Sequence, residues 1–383
     1  MAGRNVWKFL QPKGITRLQH TRYVAGNAAM SGFDIQHKIN PIPKAYYGGR
    51  HTVTLLPGSG IGPELMGYVR EIFKYAGVPV DFEQIDISPD TESNDDFEYA
   101  VTSIRRNGVA LKGNIETGSE SVEVMSRNVG LRDELDLFVY VLHCHHYPGV
   151  QSRQKDIDMV VIRQNTEGEY AMLEHESVEG VVESMKVITA ANSERVIRYA
   201  FEYARHNNRK KITTIHKAIY LQLSDGLFLE TSRKVAKDYP DIKFNDMIMD
   251  DACAELVANP HQFDIVLSTN LYGLIVSNIM CGLLGGAGLY AGKNYGNHYA
   301  VFEPATRSTG KSMVGKNVAN PVAMINASVA MLRHLGHEHH ATIIRNAILK
   351  TLAKGVHTPD LGGTATSRDV VDGILKYIKE ATT

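Results

Sequence analysis

Residues 51–78 read HTVTLLPGSGIGPELMGYVREIFKYAGV, and this stretch decides the fold class. Val53, Leu55 and Leu56 form a short apolar run of strand type. Pro57 to Pro63 is a turn rich in glycine. Beyond it Leu65, Val69, Ile72 and Phe73 recur at helical spacing over residues 64–76. Strand, glycine turn and helix open an α/β domain. Gly58, Gly60 and Gly62 miss the G-x-G-x-x-G spacing, so the turn is not a Rossmann nucleotide fingerprint.

The alternation continues outward. VALKGNI (109–115), LDLFVYVL (135–142), DIDMVVIR (156–163), VVESMKVIT (181–189), KKITTIHKA (210–218) and FDIVLST (263–269) read as strands. Helical periodicity marks 193–207, 225–236, 321–335, 340–354 and about 368–380, with another helix running from Asp250 to Asn259. The acidic stretch 79–100 reads as a solvated edge and loop. The expectation is an α/β protein in which strands from both halves share one sheet, with no internal repeat.

Composition excludes several classes. The 383 residues are 43% hydrophobic and 22% charged, with a formal net charge of -1, so no basic field suits nucleic acid. No apolar run approaches the roughly 20 residues of a membrane span. Cys144, Cys253 and Cys281 are too few and too scattered for a disulfide framework. Residues 1–33 carry Arg4, Lys8, Lys13, Arg17 and Arg22 and no acid, with Trp7, Phe9 and Leu10 between the cations. That pattern predicts a mitochondrial transit peptide. Residues 34–50, with Pro41, Pro43 and Gly48-Gly49, read as a linker.

The polar residues at strand ends carry the chemistry. Asn114, Thr117, Arg132, Arg163, Tyr170, Lys217 and Asp250 all fall at or near such ends, where open α/β sheets bind ligands. Two arginines suit carboxylate recognition, and Tyr and Lys can exchange protons. A pocket for a small polycarboxylate follows. Its metal site is underfilled. In NLYGLIVSNIMCGLLGG (270–286) Leu274 and Asn278 share a helical face at the spacing of two metal-binding carboxylates, yet neither is one. The cluster His143, Cys144, His145 and His146 reads as a strand end, because alternate residues point to opposite faces and do not converge on one ion.

IRQNTEGEY, HKA (216–218), DGLF (225–228), NLYG (270–273), GLLGG (282–286) and NVANP (317–321) together resemble the β-decarboxylating dehydrogenases, which include isocitrate and isopropylmalate dehydrogenases. Within that family HTVTLLPGSGIGPELM, VALKGNIET, LEHESVEGVVES and HTPDLGG look most like the mitochondrial NAD-dependent isocitrate enzymes, gamma-type subunits ahead of beta-type. The resemblance implies a large α/β domain from 51–147 and 283–383 and a small domain from 148–282. A clasp at about 150–190 would pair subunits. It also implies hydride transfer to NAD and decarboxylation assisted by Mg²⁺ or Mn²⁺. Of the three metal-binding Asp of the family, Asp250 matches the one lent across the dimer; the other two positions hold Leu274 and Asn278.

Further departures agree. The third substrate arginine is Leu142, the glutamate of the R-E-N-T-E-G motif is Gln164, and the acid of the glycine turn is Ser59. The NAD-binding loop is ATRSTGKS (305–312), and Ile219 replaces the Asn of HKAN. Resemblance to gamma-type subunits implies a regulatory, non-catalytic chain. Asn114, Thr117, Ser126, Asn128, Arg132, Arg163, Asn165, Tyr170 and Arg307 would bind citrate, and ADP would sit near Asn320 and Asp360. The proton-transfer role of Tyr170 would be vestigial, while Lys217 and Asp250 would serve the partner's site. The implied partners are a catalytic alpha-type subunit and, in a higher oligomer, a beta-type subunit. Two alternatives stand beside this: a self-sufficient dehydrogenase, and a beta-type structural subunit without allosteric ligands.

Overall fold

The computed structural model describes residues 42–45, 48–87, 94–116, 126–305 and 308–382. The expected transit peptide, most of the expected linker, Thr117 and Arg307 lie outside the described residues.

The opening stretch forms β1 (His51–Leu56) and α1 (Gly62–Tyr75). Pro63 occupies the first turn of α1, where its missing N–H costs nothing, and Glu64 and Lys74 complement the two ends of the helix dipole. β2 (Val80–Gln84), α2 (Asp95–Asn107) and β3 (Val109–Lys112) follow. The acidic stretch is thus only partly edge and loop. Its last residues begin α2, because Asp95, Asp96 and Glu98 in a first turn stabilise the exposed N–H end of a helix. Next come α3 (Arg127–Glu134), β4 (Val139–His145) and β5 (Asp158–Gln164).

The middle of the chain supplies β6 (Glu174–Val178), β7 (Val181–Ser184), α4 (Ala190–His206), β8 (Lys211–His216) and α5 (Ser224–Ala236). It continues with β9 (Lys243–Ile248), α6 (Met249–Ala258), β10 (Ile265–Ser268) and α7 (Asn270–Leu283). The remainder forms β11 (Ala291–Tyr295), β12 (Ala300–Pro304), α8 (Val322–His334), α9 (Glu338–Ala353) and α10 (Ser367–Thr382).

Ten strands form one sheet in the order β2-β1-β3-β12-β11-β4-β5-β10-β8-β9, so strands from both halves do share it. The strand-like run at 181–189 is realised only as β7, which pairs with β6 in a separate two-stranded hairpin whose residues are all exposed. β11 escapes sequence reading, since AGKNY lacks apolar alternation. It is a strand because antiparallel partners flank it on both sides, β12 and β4.

Register assigns side chains to faces. Tyr140 lies opposite Arg163 and Asn294, and Glu303 opposite Gly292. Directly paired residues point to one side and neighbours along a strand alternate. Lys112, Glu303, Asn294, Tyr140 and Arg163 therefore share one face. Lys293, Val141, His143 and His145 share the other.

Candidate ligand site

Arg163, at the C-terminal end of β5, is wholly buried. Its Nε donates to Asn270 Oδ1 at 2.9 Å, and Asn270 in turn donates to the Glu167 carbonyl at 2.8 Å. The guanidinium carbon lies 5.4 Å from the Tyr140 ring centre and 5.6 Å from that of Tyr170. Aromatic faces stabilise a desolvated cation while leaving the guanidinium plane fixed. Arg132 is buried in the last turn of α3, and its carbonyl accepts the Leu137 N–H where the chain enters β4.

A buried polar row runs along the same face of the sheet. Asn165 donates to Asn294 Oδ1 at 3.0 Å, and Asn294 donates to Glu303 Oε1 at 3.0 Å. Glu303 pairs with Lys112 at 2.8 Å, and Lys112 donates to Asn128 Oδ1 at 2.8 Å. Asn128 closes the row by donating to the Ile115 carbonyl at 2.6 Å. The row ties the predicted residues Asn165, just beyond β5, and Asn128, in α3, together through β11, β12 and β3. Sequence reasoning missed Lys112, Asn294 and Glu303; the available signal was a charged residue inside the apolar strands VALK and AVFEP.

Asn114 follows β3. Its carbonyl accepts the Ser59 N–H at 2.8 Å, and a Cβ on Gly58, whose φ is +74°, would meet that carbonyl oxygen at 2.5 Å. Only glycine fits both the backbone angle and the approach. Ser126 precedes α3 as its N-terminal flanking residue. Gln164 donates to Glu167 at 2.7 Å, and Glu167 also receives the Thr189 hydroxyl at 2.6 Å. That acid is therefore engaged both by its own turn and by the start of α4. Tyr170 lies in a short 3-10 turn, Gly168–Ala171, beside Glu169, which pairs with Lys186 at 3.1 Å.

Lys217 and Asp250 follow β8 and β9, the last two strands of the sheet. Their charged ends contact each other directly, and Asp225 accepts the Lys217 backbone N–H at 2.7 Å. The Asp250 side chain is 69% exposed. β10 lies between β5 and β8, and Asp225, which accepts the Lys217 N–H, pairs with Lys186, which in turn pairs with Glu169 beside Tyr170.

The metal expected from the resemblance does not fit the donors of this chain. Leu274 offers no lone pair. Asn278 is exposed on α7, and its amide donates back to the Leu274 carbonyl at 3.0 Å. Among the described residues no group of three or more His, Cys, Asp or Glu is arranged to hold a metal ion.

The expected nucleotide residues do meet: Asn320 Nδ2 donates to Asp360 Oδ2 at 3.0 Å, close against Gly288. The loop that departs from the NAD-binding pattern packs on the glycine turn. The Thr309 carbonyl accepts the Ile61 N–H at 2.9 Å, and Lys311 pairs with Glu116 at 2.6 Å.

Comparison with known proteins agrees with this geometry. The family described as Isocitrate/isopropylmalate dehydrogenase matches residues 52–374. The human protein named "Isocitrate dehydrogenase [NAD] subunit gamma, mitochondrial" is 52% identical over 339 residues, covering 88% of this chain and 86% of the relative. The Kluyveromyces lactis protein named "Isocitrate dehydrogenase [NAD] subunit 1, mitochondrial" is 46% identical, covering 88% of this chain and 93% of the relative. The crystal structure of isocitrate dehydrogenase from Methylococcus capsulatus superposes with a TM-score of 0.81 at 36% identity, covering 86% of this chain and 99% of that one. With its ten-stranded sheet, its buried Arg163 and its match over residues 52–374, the chain belongs to the isocitrate/isopropylmalate dehydrogenase family.

Proposed function

We propose that this chain is a regulatory, non-catalytic subunit of a mitochondrial NAD-dependent isocitrate dehydrogenase. It binds citrate and ADP and thereby activates a catalytic alpha-type subunit that holds Mg²⁺ or Mn²⁺ and NAD. A beta-type subunit joins in the higher oligomer. The observation that carries the reading is the pair Leu274 and Asn278 on α7, where an acting site needs two carboxylates. The acid-free leader of residues 1–33 and the mitochondrial names of the relatives support the location.

Arg163 and Arg132 are the anchors for the citrate carboxylates on this reading, with Asn114, Thr117, Ser126, Asn128, Asn165, Tyr170 and Arg307 around them. A buried guanidinium between two aromatic rings is oriented before the ligand arrives, which lowers the cost of binding. Asn320 and Asp360 hold ADP. Lys217, just after β8, and Asp250, at the start of α6, complete the partner's site. Residues 51–147 with 283–383 form the large domain. Residues 148–282 form the small one, whose clasp includes the exposed β6–β7 hairpin.

The test measures isocitrate-dependent NAD reduction by this chain alone, by the alpha-type subunit alone and by the two co-purified, each with and without citrate plus ADP. The lone chain is expected to be silent, and citrate to lower the KM of the pair for isocitrate. Turnover by the lone chain overturns the reading. Citrate activation of the pair that survives Arg132→Ala overturns the assignment of the pocket.

A further inference from the structure

We propose that Lys186 couples the Arg163–Tyr170 pocket to Lys217, so that an anionic ligand in the pocket sets how firmly the lysine offered to the partner's site is held. The inference rests on the proposed function and names a residue through which its regulation passes. Lys186 follows β7, where the exposed hairpin returns to the body of the chain. The backbone on both sides of it is tied to the turn that carries Tyr170. The Met185 N–H donates to the Leu173 carbonyl at 2.8 Å, and the Gly168 N–H donates to the Val187 carbonyl at 3.1 Å.

The side chain stands between two carboxylates. Its ammonium lies 3.1 Å from Glu169 Oε1 and 2.7 Å from Asp225 Oδ1. Glu169 is the neighbour of Tyr170, whose ring centre lies 5.6 Å from the Arg163 guanidinium carbon. Asp225 is 1% exposed, and its other oxygen, Oδ2, accepts the Lys217 N–H at 2.7 Å. One buried carboxylate thus holds Lys186 on one oxygen and the backbone of Lys217 on the other. The same ammonium lies 4.6 Å from the ring centre of Tyr272, two residues beyond Asn270, the α7 residue that holds Arg163 Nε.

This bridge has a second arrangement open to it. Glu169 Oε2 is buried with no hydrogen-bond partner among the described residues, and a lysine ammonium carries three donors. A polycarboxylate at Arg163 adds negative charge on the Glu169 side, which draws the ammonium that way in a place where water screens little. Asp225 sits in the first turn of α5 and does not follow. Its carboxylate then leans on the Lys217 N–H, a charge-assisted bond that strengthens as the competing cation withdraws. The ligand favours the arrangement in which Lys217 is held most firmly, and such a difference between two arrangements is what a regulatory ligand requires.

The test uses this chain co-purified with the alpha-type subunit. It reads citrate binding by calorimetry, taking the heat that Arg132→Ala removes, and the citrate-dependent change in KM for isocitrate. The wild-type pair is expected to bind citrate and to lower its KM by about fivefold or more. Lys186→Met is expected to keep citrate affinity within about threefold while the KM response falls below about twofold, and Lys186→Arg to restore the response. If Lys186→Met does not fold, Glu169→Gln, which leaves the Lys186–Asp225 pair in place, is read for the same split. A full KM response in the variant overturns the coupling and leaves the proposed function standing. Loss of citrate binding together with the response also overturns it, because Lys186 then belongs to the pocket itself. A wild-type pair without any KM response overturns the proposed function, and the coupling with it.

Discussion

Gly273 of α7 lies against Arg163 of β5 so closely that a Cβ on the glycine would fall 2.6 Å from the arginine's Cβ and Cγ. Helix α7 therefore presses on the stem of the buried cation, and its own residue Asn270 holds Nε at 2.9 Å. Gly273→Ala must move one or the other. The expected cost is about 1–3 kcal/mol in stability, read from the urea midpoint. On the proposed function, citrate affinity should fall at least tenfold by calorimetry, because the guanidinium loses its fixed place. Unchanged citrate binding would remove Arg163 from the pocket.

The Lys112–Glu303 pair, 2.8 Å apart with side chains only 4% and 10% exposed, anchors the polar row. Lys112→Met leaves the carboxylate buried without its counter-charge and should cost roughly 3–5 kcal/mol. Adding Glu303→Met should recover much of that loss, since an apolar pair of similar volume avoids the desolvation penalty. A double-mutant cycle by chemical denaturation measures both outcomes.

Lys217 and Asp250 touch in a place open to solvent, so their pairing contributes little to stability. Lys217→Gln should shift the unfolding free energy of this chain by less than about 1 kcal/mol. In the co-purified pair the same substitution should lower turnover by tenfold or more if the lysine completes the partner's site. Steady-state kinetics of the mixed complex decides it.

Two histidines make the fold sensitive to acid. Burial lowers His334 to about 4 and His145 to about 3, both below the usual imidazole value of about 6.5. The unfolded chain therefore takes up protons first as pH falls. Their contribution is complete above pH 6.5 and is lost progressively between about 6.5 and 3. His334 packs beside Phe302, with ring centres 5.6 Å apart, and beside Tyr295 at 5.8 Å. His334→Phe should keep that packing and flatten the loss between pH 7 and pH 5 by roughly 1–2 kcal/mol, read from urea midpoints at the two pH values. An equally steep loss in the variant would assign the acid sensitivity to other groups.

Most elements are legible in the sequence because their apolar spacing survives without tertiary context. β1, α1, β5 and β8 appear where strand and helix periods predict them. α2 extends into the acidic run because helix-end electrostatics outweigh mean polarity. β11 could not be read, since its hydrogen bonds come from neighbours distant in sequence. The β6–β7 hairpin has no buried face, so β6 offers no hydrophobic alternation to find, whereas β7 lies within the strand-like run 181–189.

The sequence by itself determined the family, through motifs whose order spans most of the chain. It also determined the missing carboxylates at Leu274 and Asn278, because ligand chemistry depends on residue type. Only the tertiary structure decided which residues meet. The row Asn165–Asn294–Glu303–Lys112–Asn128 joins β11, β12 and β3 to the end of β5 and to α3. This grouping has no sequence period. Strand order and register, set by packing of the whole sheet, bring these residues together.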